Sequence, residues 1–159
     1  MKLIGANQRH GKLQRGTSLI EVLVSILILA VGGLGAAVLQ LNGLKYNGTA
    51  MLRSQATFFA YQITDSMRAN RTAALSSAHP YNVAISFTKP TGTTIDKVDL
   101  QNWYDALATL PLGTGSINVV GNQATITVQW DESRLRSLTT TNYQAQSTQI
   151  QQFVFQTEL

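Results

Sequence analysis

The chain has 159 residues, 12 basic and 8 acidic, a formal net charge of +4 and no cysteine. The missing cysteine excludes disulfides, thiolate metal sites and cysteine nucleophiles. The charge is uneven: Lys2, Arg9, Lys12 and Arg15 precede Thr17, every acid lies at or after Glu21, and the side chains from Thr17 onward balance. That distribution argues against a basic body built to grip nucleic acid.

The length suggests one domain with an appended segment. Val22 to Leu39 is 18 residues, all apolar or small except Ser25. As a helix this run extends about 27 Å, close to the ~30 Å of a bilayer core. Four bases precede it, and only Lys45 and Arg53 follow soon after. The positive-inside rule then places the amino terminus inside and the body across the membrane.

Three readings fit this start. One is a secretory signal peptide, with Ala30-Val31-Gly32 as a loose cleavage site. A second is a plain signal anchor. Neither gives a role to Glu21, since a carboxylate near a bilayer centre costs about 3 kcal/mol on insertion scales. The third cuts after Gly16, so that the mature chain begins at Thr17 and Glu21 is its fifth residue. An i,i+4 spacing puts the new amine and the carboxylate on one helix face. A buried carboxylate is tolerable when a cation neutralises it. If that cation is the terminus of a neighbouring copy, the pair is a register device, because docking one step wrong leaves a charge unpaired in an apolar bundle.

Beyond Leu41 the helical pattern continues. Leu44, Gly48, Leu52, Ala56, Phe59, Ile63 and Met67 recur at steps of three or four, whereas Arg53, Gln62, Asp65 and Arg68 fall off that stripe. This predicts one helix from about Ser18 to Asn70, the first half a membrane or filament spine and the second packed on a head. Gly32, Gly33 and Gly35 weaken the spine, at about 1 kcal/mol each relative to alanine. Asn47-Gly48 is a turn-prone pair. These residues serve either local melting or close packing against neighbouring helices.

The helix should end near Asn70, before the loop-formers Ser76, Ser77, Pro80 and Asn82. His79 precedes Pro80, which biases its backbone to extended conformations. Tyr81–Phe87 reads as a strand and Thr88–Thr94 as a loop. Asp99–Leu110 reads as a second helix with Leu100, Trp103, Leu107 and Leu110 on one side, Asp99 as N-cap and Pro111 as the stop. Gly115–Trp130 is a hairpin turning at Gly121-Asn122, with Ala124, Ile126, Val128 and Trp130 on one face. Thr139–Gln149 is a polar surface loop, and Gln149–Thr157 is the last strand. The fold class is α+β: one long amino-terminal helix on an antiparallel sheet, plus a short second helix.

No catalytic constellation assembles. Once residues 1–16 are removed, His79 is the remaining histidine, and no nucleophile elbow accompanies it. Asp131 and Glu132 are neighbours on an extended chain, so their carboxylates point apart, and they read as a charged turn. Gly113-Thr114-Gly115 lacks the rest of any phosphate loop. Trp103 and Trp130 read as anchors of the core or of an interface, with the core favoured. Arg68, Asn70 and Arg71 either bond carboxylates or carbonyls at a subunit contact or cap the negative end of the helix.

The stretch "G-TSLIEVLVSILIL" is similar to the class III signal of type IV prepilins, although that family usually has phenylalanine where Thr17 stands. The resemblance implies that a prepilin peptidase cuts after Gly16, that Thr17 becomes the methylated terminus and that Glu21 guides docking into a filament. "DSMRANR" at Asp65–Arg71 and "W…L…LPLGTGSI…ATITVQWDESR" from Trp103 to Arg134 resemble the PilV family of minor pilins. That resemblance implies a pilin-like fold: a leader at residues 1–16, a hydrophobic transmembrane and filament-core half-helix at 17–44, and a periplasmic or extracellular head at 45–159. It implies no enzyme activity, no cofactor and no metal. The implied partners are the prepilin peptidase, other minor pilins, the major pilin, a large tip adhesin and the inner-membrane assembly platform. The subunit would wait in the inner membrane and then join a surface pilus near its tip. Rival readings are a type II secretion pseudopilin, a DNA-uptake pilin and a signal-anchored periplasmic enzyme or inhibitor.

Overall fold

The computed structural model describes residues 18–133 and 149–159. Helix α1 runs from Leu19 to Ala69, within a residue of the expected span at both ends. It continues through Gly32, Gly33, Gly35 and Asn47-Gly48 without a break. A four-residue helix, α2, follows at Arg71–Ala74. Strand β1 is Val83–Ser86, helix α3 is Ile95–Leu107, and β2, β3 and β4 are Thr114–Val120, Gln123–Asp131 and Ile150–Glu158. The sheet has the order β1-β2-β3-β4, and all its pairs are antiparallel. The α+β layout expected from the sequence is the layout observed.

The chain divides into two compact units, Met1–Gln40 and Leu41–Leu159. In the second unit, the core forms where three apolar surfaces meet. Helix α1 contributes Ala56, Ala60, Ile63 and Met67, α3 contributes Leu100, Trp103 and Leu107, and the sheet contributes Ile117, Val119, Ala124, Ile126, Val128 and Trp130. The alternation of β3 puts all four expected residues on the buried face. The stripe along α1 is partly corrected. Leu44 is exposed, and the buried face begins with half-buried Leu52 and gains Ala60 and Thr64. The Thr64 hydroxyl donates to the Ala60 carbonyl at 2.8 Å, so a polar side chain sits in the core with its hydroxyl satisfied.

Several boundaries differ from expectation, each for a local reason. Strand β1 starts at Val83 because Asn82 pairs through its side chain: Oδ1 accepts Val119 N–H at 2.7 Å and Nδ2 donates to Val119 O at 3.4 Å. Helix α3 starts four residues early, behind Thr94 as N-cap, and ends at Leu107. Asp99 is therefore an interior residue whose carboxylate is used in a tertiary contact. Leu110 is still buried, in the turn where its N–H bonds the Leu107 carbonyl. His79 is not extended: its φ is +42°, its carbonyl accepts Asn82 N–H, and its Nδ1 is buried without a partner. Glu132 is not a charged surface turn. It is buried, and its carboxylate accepts the Trp130 indole N–H at 3.0 Å. The loop placed at Thr139–Gln149 lies outside the described residues except for Gln149.

Candidate assembly site

The first turn of α1 forms on Ser18, whose carbonyl accepts the N–H groups of Glu21 at 3.0 Å and Val22 at 3.2 Å. Glu21 thus lies in the first turn, where the helix macrodipole favours a negative group. Ser25 donates its hydroxyl to the Glu21 carbonyl at 2.7 Å. That bond satisfies the one polar side chain inside the apolar run without breaking the helix. Gly16 and Thr17 lie outside the described residues.

Around Glu21, the apolar side chains face outward. Leu19 is 85 % exposed and Leu29 76 % exposed, and Ile20, Leu23, Ile26, Leu27, Ile28 and Val31 are also open. None of the most apolar stretch of the helix is buried within the chain. By length and composition, α1 is apolar enough to cross a membrane. An exposed apolar surface of this extent marks a site that is covered by lipid or by other protein.

The carboxyl end of α1 is built differently. Arg68 donates from Nη2 to Thr157 Oγ1 at 2.8 Å and to the Glu158 carbonyl at 3.3 Å, and it lies 3.7 Å from Asp65. Asn70 donates from Nδ2 to the Tyr81 hydroxyl at 3.1 Å, and that hydroxyl donates to Asp99 Oδ2 at 2.6 Å. Both side chains are therefore engaged within the chain. Arg71 is exposed, with no side-chain hydrogen bond or ion pair among the described residues. The three residues grouped by sequence thus separate: Arg68 ties α1 to β4, Asn70 ties α1 to the turn and α3, and Arg71 faces outward.

The Asn70–Tyr81–Asp99 chain was not foreseen in the sequence. Tyr81 is fully buried. Burial raises its phenol pKa, and its hydrogen bond to Asp99 adds to the rise. The Tyr104 phenol is also raised by burial. Among the described residues, no group of three or more histidines or carboxylates could hold a metal ion.

The family model for the prokaryotic N-terminal methylation motif matches residues 11–37. The match spans Gly16, Thr17, Glu21 and most of the exposed apolar run, so the segment is a type IV pilin-like prepilin signal. It supports a type IV pilin-like or pseudopilin precursor with a membrane-anchoring helix. No curated protein and no solved structure matches the chain.

Proposed function

We propose that the protein is a minor pilin of a type IV pilus, a structural subunit and not an enzyme. Prepilin peptidase cuts between Gly16 and Thr17, and Thr17 is methylated at its new amine. Helix α1 holds the subunit in the inner membrane, amino terminus inward and head in the periplasm, until assembly draws it into the filament. There Glu21 meets a terminal amine and sets the axial register. The subunit joins other minor pilins in a complex that primes assembly, contacts the major pilin and a large tip adhesin, and supports adhesion and twitching motility.

The observation that carries this reading is the methylation motif lying over an exposed apolar helix with Glu21 in its first turn. The Trp103–Arg134 resemblance to PilV heads favours the pilus over the secretion machine. A type II secretion pseudopilin is the second reading, because the amino-terminal motif serves both. A DNA-uptake pilin is less favoured by the balanced charge of the body.

Mass spectrometry of protein from sheared surface filaments tests the proposal. A methylated Thr17 at the amino terminus, with residues 1–16 absent, is the expected result. An unprocessed Met1, or a chain starting after Gly32, overturns it. A processed chain that is absent from pili, with a secretion defect on its deletion, favours the pseudopilin.

A further inference from the structure

Ser25 is the one polar side chain within the Val22–Leu39 run, and it stands four residues after Glu21. At that spacing the two side chains share a helix face. Glu21, Val22, Ser25, Ile26 and Leu29 line a single open groove along it. Glu21 and Ser25 are both exposed in the single chain, so a neighbouring subunit can reach the groove.

The helix itself has no need of the Ser25 hydroxyl. The Glu21 carbonyl that it bonds is also the regular i−4 acceptor for the Ser25 backbone N–H. Alanine at this position would be the better helix former and the more apolar residue. The 2.7 Å bond does something else: it holds the hydroxyl proton on that carbonyl. The oxygen lone pairs are left as acceptors beside the carboxylate. Among the described residues, the Glu21 carboxylate makes no hydrogen bond or ion pair. The groove therefore offers two acceptors, one charged and one neutral, set among apolar side chains.

Methylation changes what a terminal amine needs. A terminal ammonium, like that of lysine, has three N–H donors. N-methylation replaces one of them with a methyl group and leaves two. In an apolar bundle, each donor without a partner costs free energy. A Glu21 carboxylate oxygen and the Ser25 oxygen satisfy two donors and leave none over. Side chains one turn apart have Cβ atoms about 5–6 Å apart. One nitrogen bridges that span with a hydrogen bond of about 2.8 Å on each side. Val22 and Ile26 in the same groove can cover the methyl group.

We propose that Glu21 and Ser25 together seat the N-methylammonium terminus of a neighbouring processed subunit. The carboxylate accepts one N–H and the Ser25 hydroxyl oxygen accepts the other. This rests on the pilin reading and adds Ser25 to it as a binding residue. The contact is heterologous: the seat of one subunit takes the terminus of the next, all helices point the same way, and stacking can continue. Glu21 lies four residues and Ser25 eight residues beyond Thr17. The neighbour is then displaced along the axis by roughly 6–12 Å. A second acceptor one turn from the first narrows the register that a carboxylate alone would allow.

Full-length variants expressed in place of the wild-type chain test the seat, with sheared filaments and membranes read by immunoblot and terminal mass spectrometry. Ser25→Ala should be cut after Gly16 and methylated as in the wild type. Its filament content, relative to the cellular pool, should fall about fivefold, as for the loss of one ordinary hydrogen bond. Ser25→Thr keeps the hydroxyl and should stay within about twofold of wild type. A serine with only a structural role predicts no loss for alanine, which favours the helix and the apolar setting more. Glu21→Ala separates this proposal from the reading beneath it. If Glu21→Ala leaves the filament but Ser25→Ala enters normally, the seat is overturned and the register reading stands. If both enter normally, the register reading fails as well. Loss of cleavage in Ser25→Ala, or a fall in Ser25→Thr as deep as in Ser25→Ala, also overturns the proposal.

Discussion

Between Leu19 and Gln40, helix α1 turns its leucines, isoleucines and valines outward, whereas between Ala56 and Met67 the same helix buries Ala56, Ala60, Ile63, Thr64 and Met67. The glycines divide in the same way. A Cβ added at Gly32, Gly33 or Gly35 would meet nothing within 4 Å. One added at Gly115 would lie 2.7 Å from both the Thr127 carbonyl and the Trp103 ring. In the head, residue choice answers to packing inside the chain. In the first half of α1 it answers to something outside the chain, since each helix glycine costs about 1 kcal/mol against alanine and nothing internal recovers it.

The sharpest way to break this contrast is at Glu21. Glu21→Ala is expected to leave cleavage after Gly16 largely intact and the urea midpoint of the head unchanged, yet to remove the subunit from filaments. Relative to the total cellular pool, filament content should fall at least about tenfold, since failure to pair one buried charge costs a few kcal/mol. Immunoblots of sheared pili against membrane fractions read it. Normal incorporation would end the register argument.

The head should fail in the opposite manner, by unfolding. Trp130→Ala is expected to cost about 3–5 kcal/mol, the range for removing a buried tryptophan. It also strands the buried Glu132 carboxylate that the indole N–H now satisfies. Urea denaturation of the full chain in detergent measures this. Both tryptophans lie in the head core, so Trp103 fluorescence in the variant reports the head alone. Gly115→Ala should cost about 1–3 kcal/mol by forcing the Trp103 ring and the β3 backbone apart. Gly33→Ala should leave the same head transition unmoved. A shift of equal size in both variants would dissolve the distinction between the two halves of α1.

Much of this division was legible beforehand. The apolar run, the 3.6-residue stripe from Leu52 to Met67 and the Gly121-Asn122 hairpin are local patterns, and local patterns survive folding. The errors lie where a side chain replaced a backbone partner. Asn82 took the place of a ladder bond, which delayed β1. Asp99 accepted the Tyr81 hydroxyl instead of capping a helix, and Glu132 turned inward to an indole. The Asn82 and Asp99 contacts join residues far apart along the chain, and spacing carries no record of them; Glu132 reaches back only two residues, but it turns inward because Trp130 is buried. Arg68, Asn70 and Arg71 sat together in the sequence as one candidate surface, but the turn after α1 sent each in a different direction.

The smallest expected effect concerns the polar link that holds the end of α1 to α3. Tyr81→Phe removes the bonds to Asn70 and Asp99 and should cost about 1–2 kcal/mol near neutral pH. Its signature is the alkaline limb. The folded chain raises the Tyr81 pKa above its usual value by burial and by the Asp99 carboxylate. The unfolded phenol ionises near 10, so above about pH 10 the unfolded state has lost a proton that the folded state keeps. The stabilisation is thus fully present below pH 10 and drains away as pH climbs toward the raised folded value. Urea midpoints of the wild-type head should fall from about pH 10 upward, and Tyr81→Phe should flatten that fall, leaving the weaker contribution of Tyr104, whose pKa is also raised by burial. An equally steep alkaline fall in the variant would show that the link between α1 and α3 does not rest on this hydroxyl.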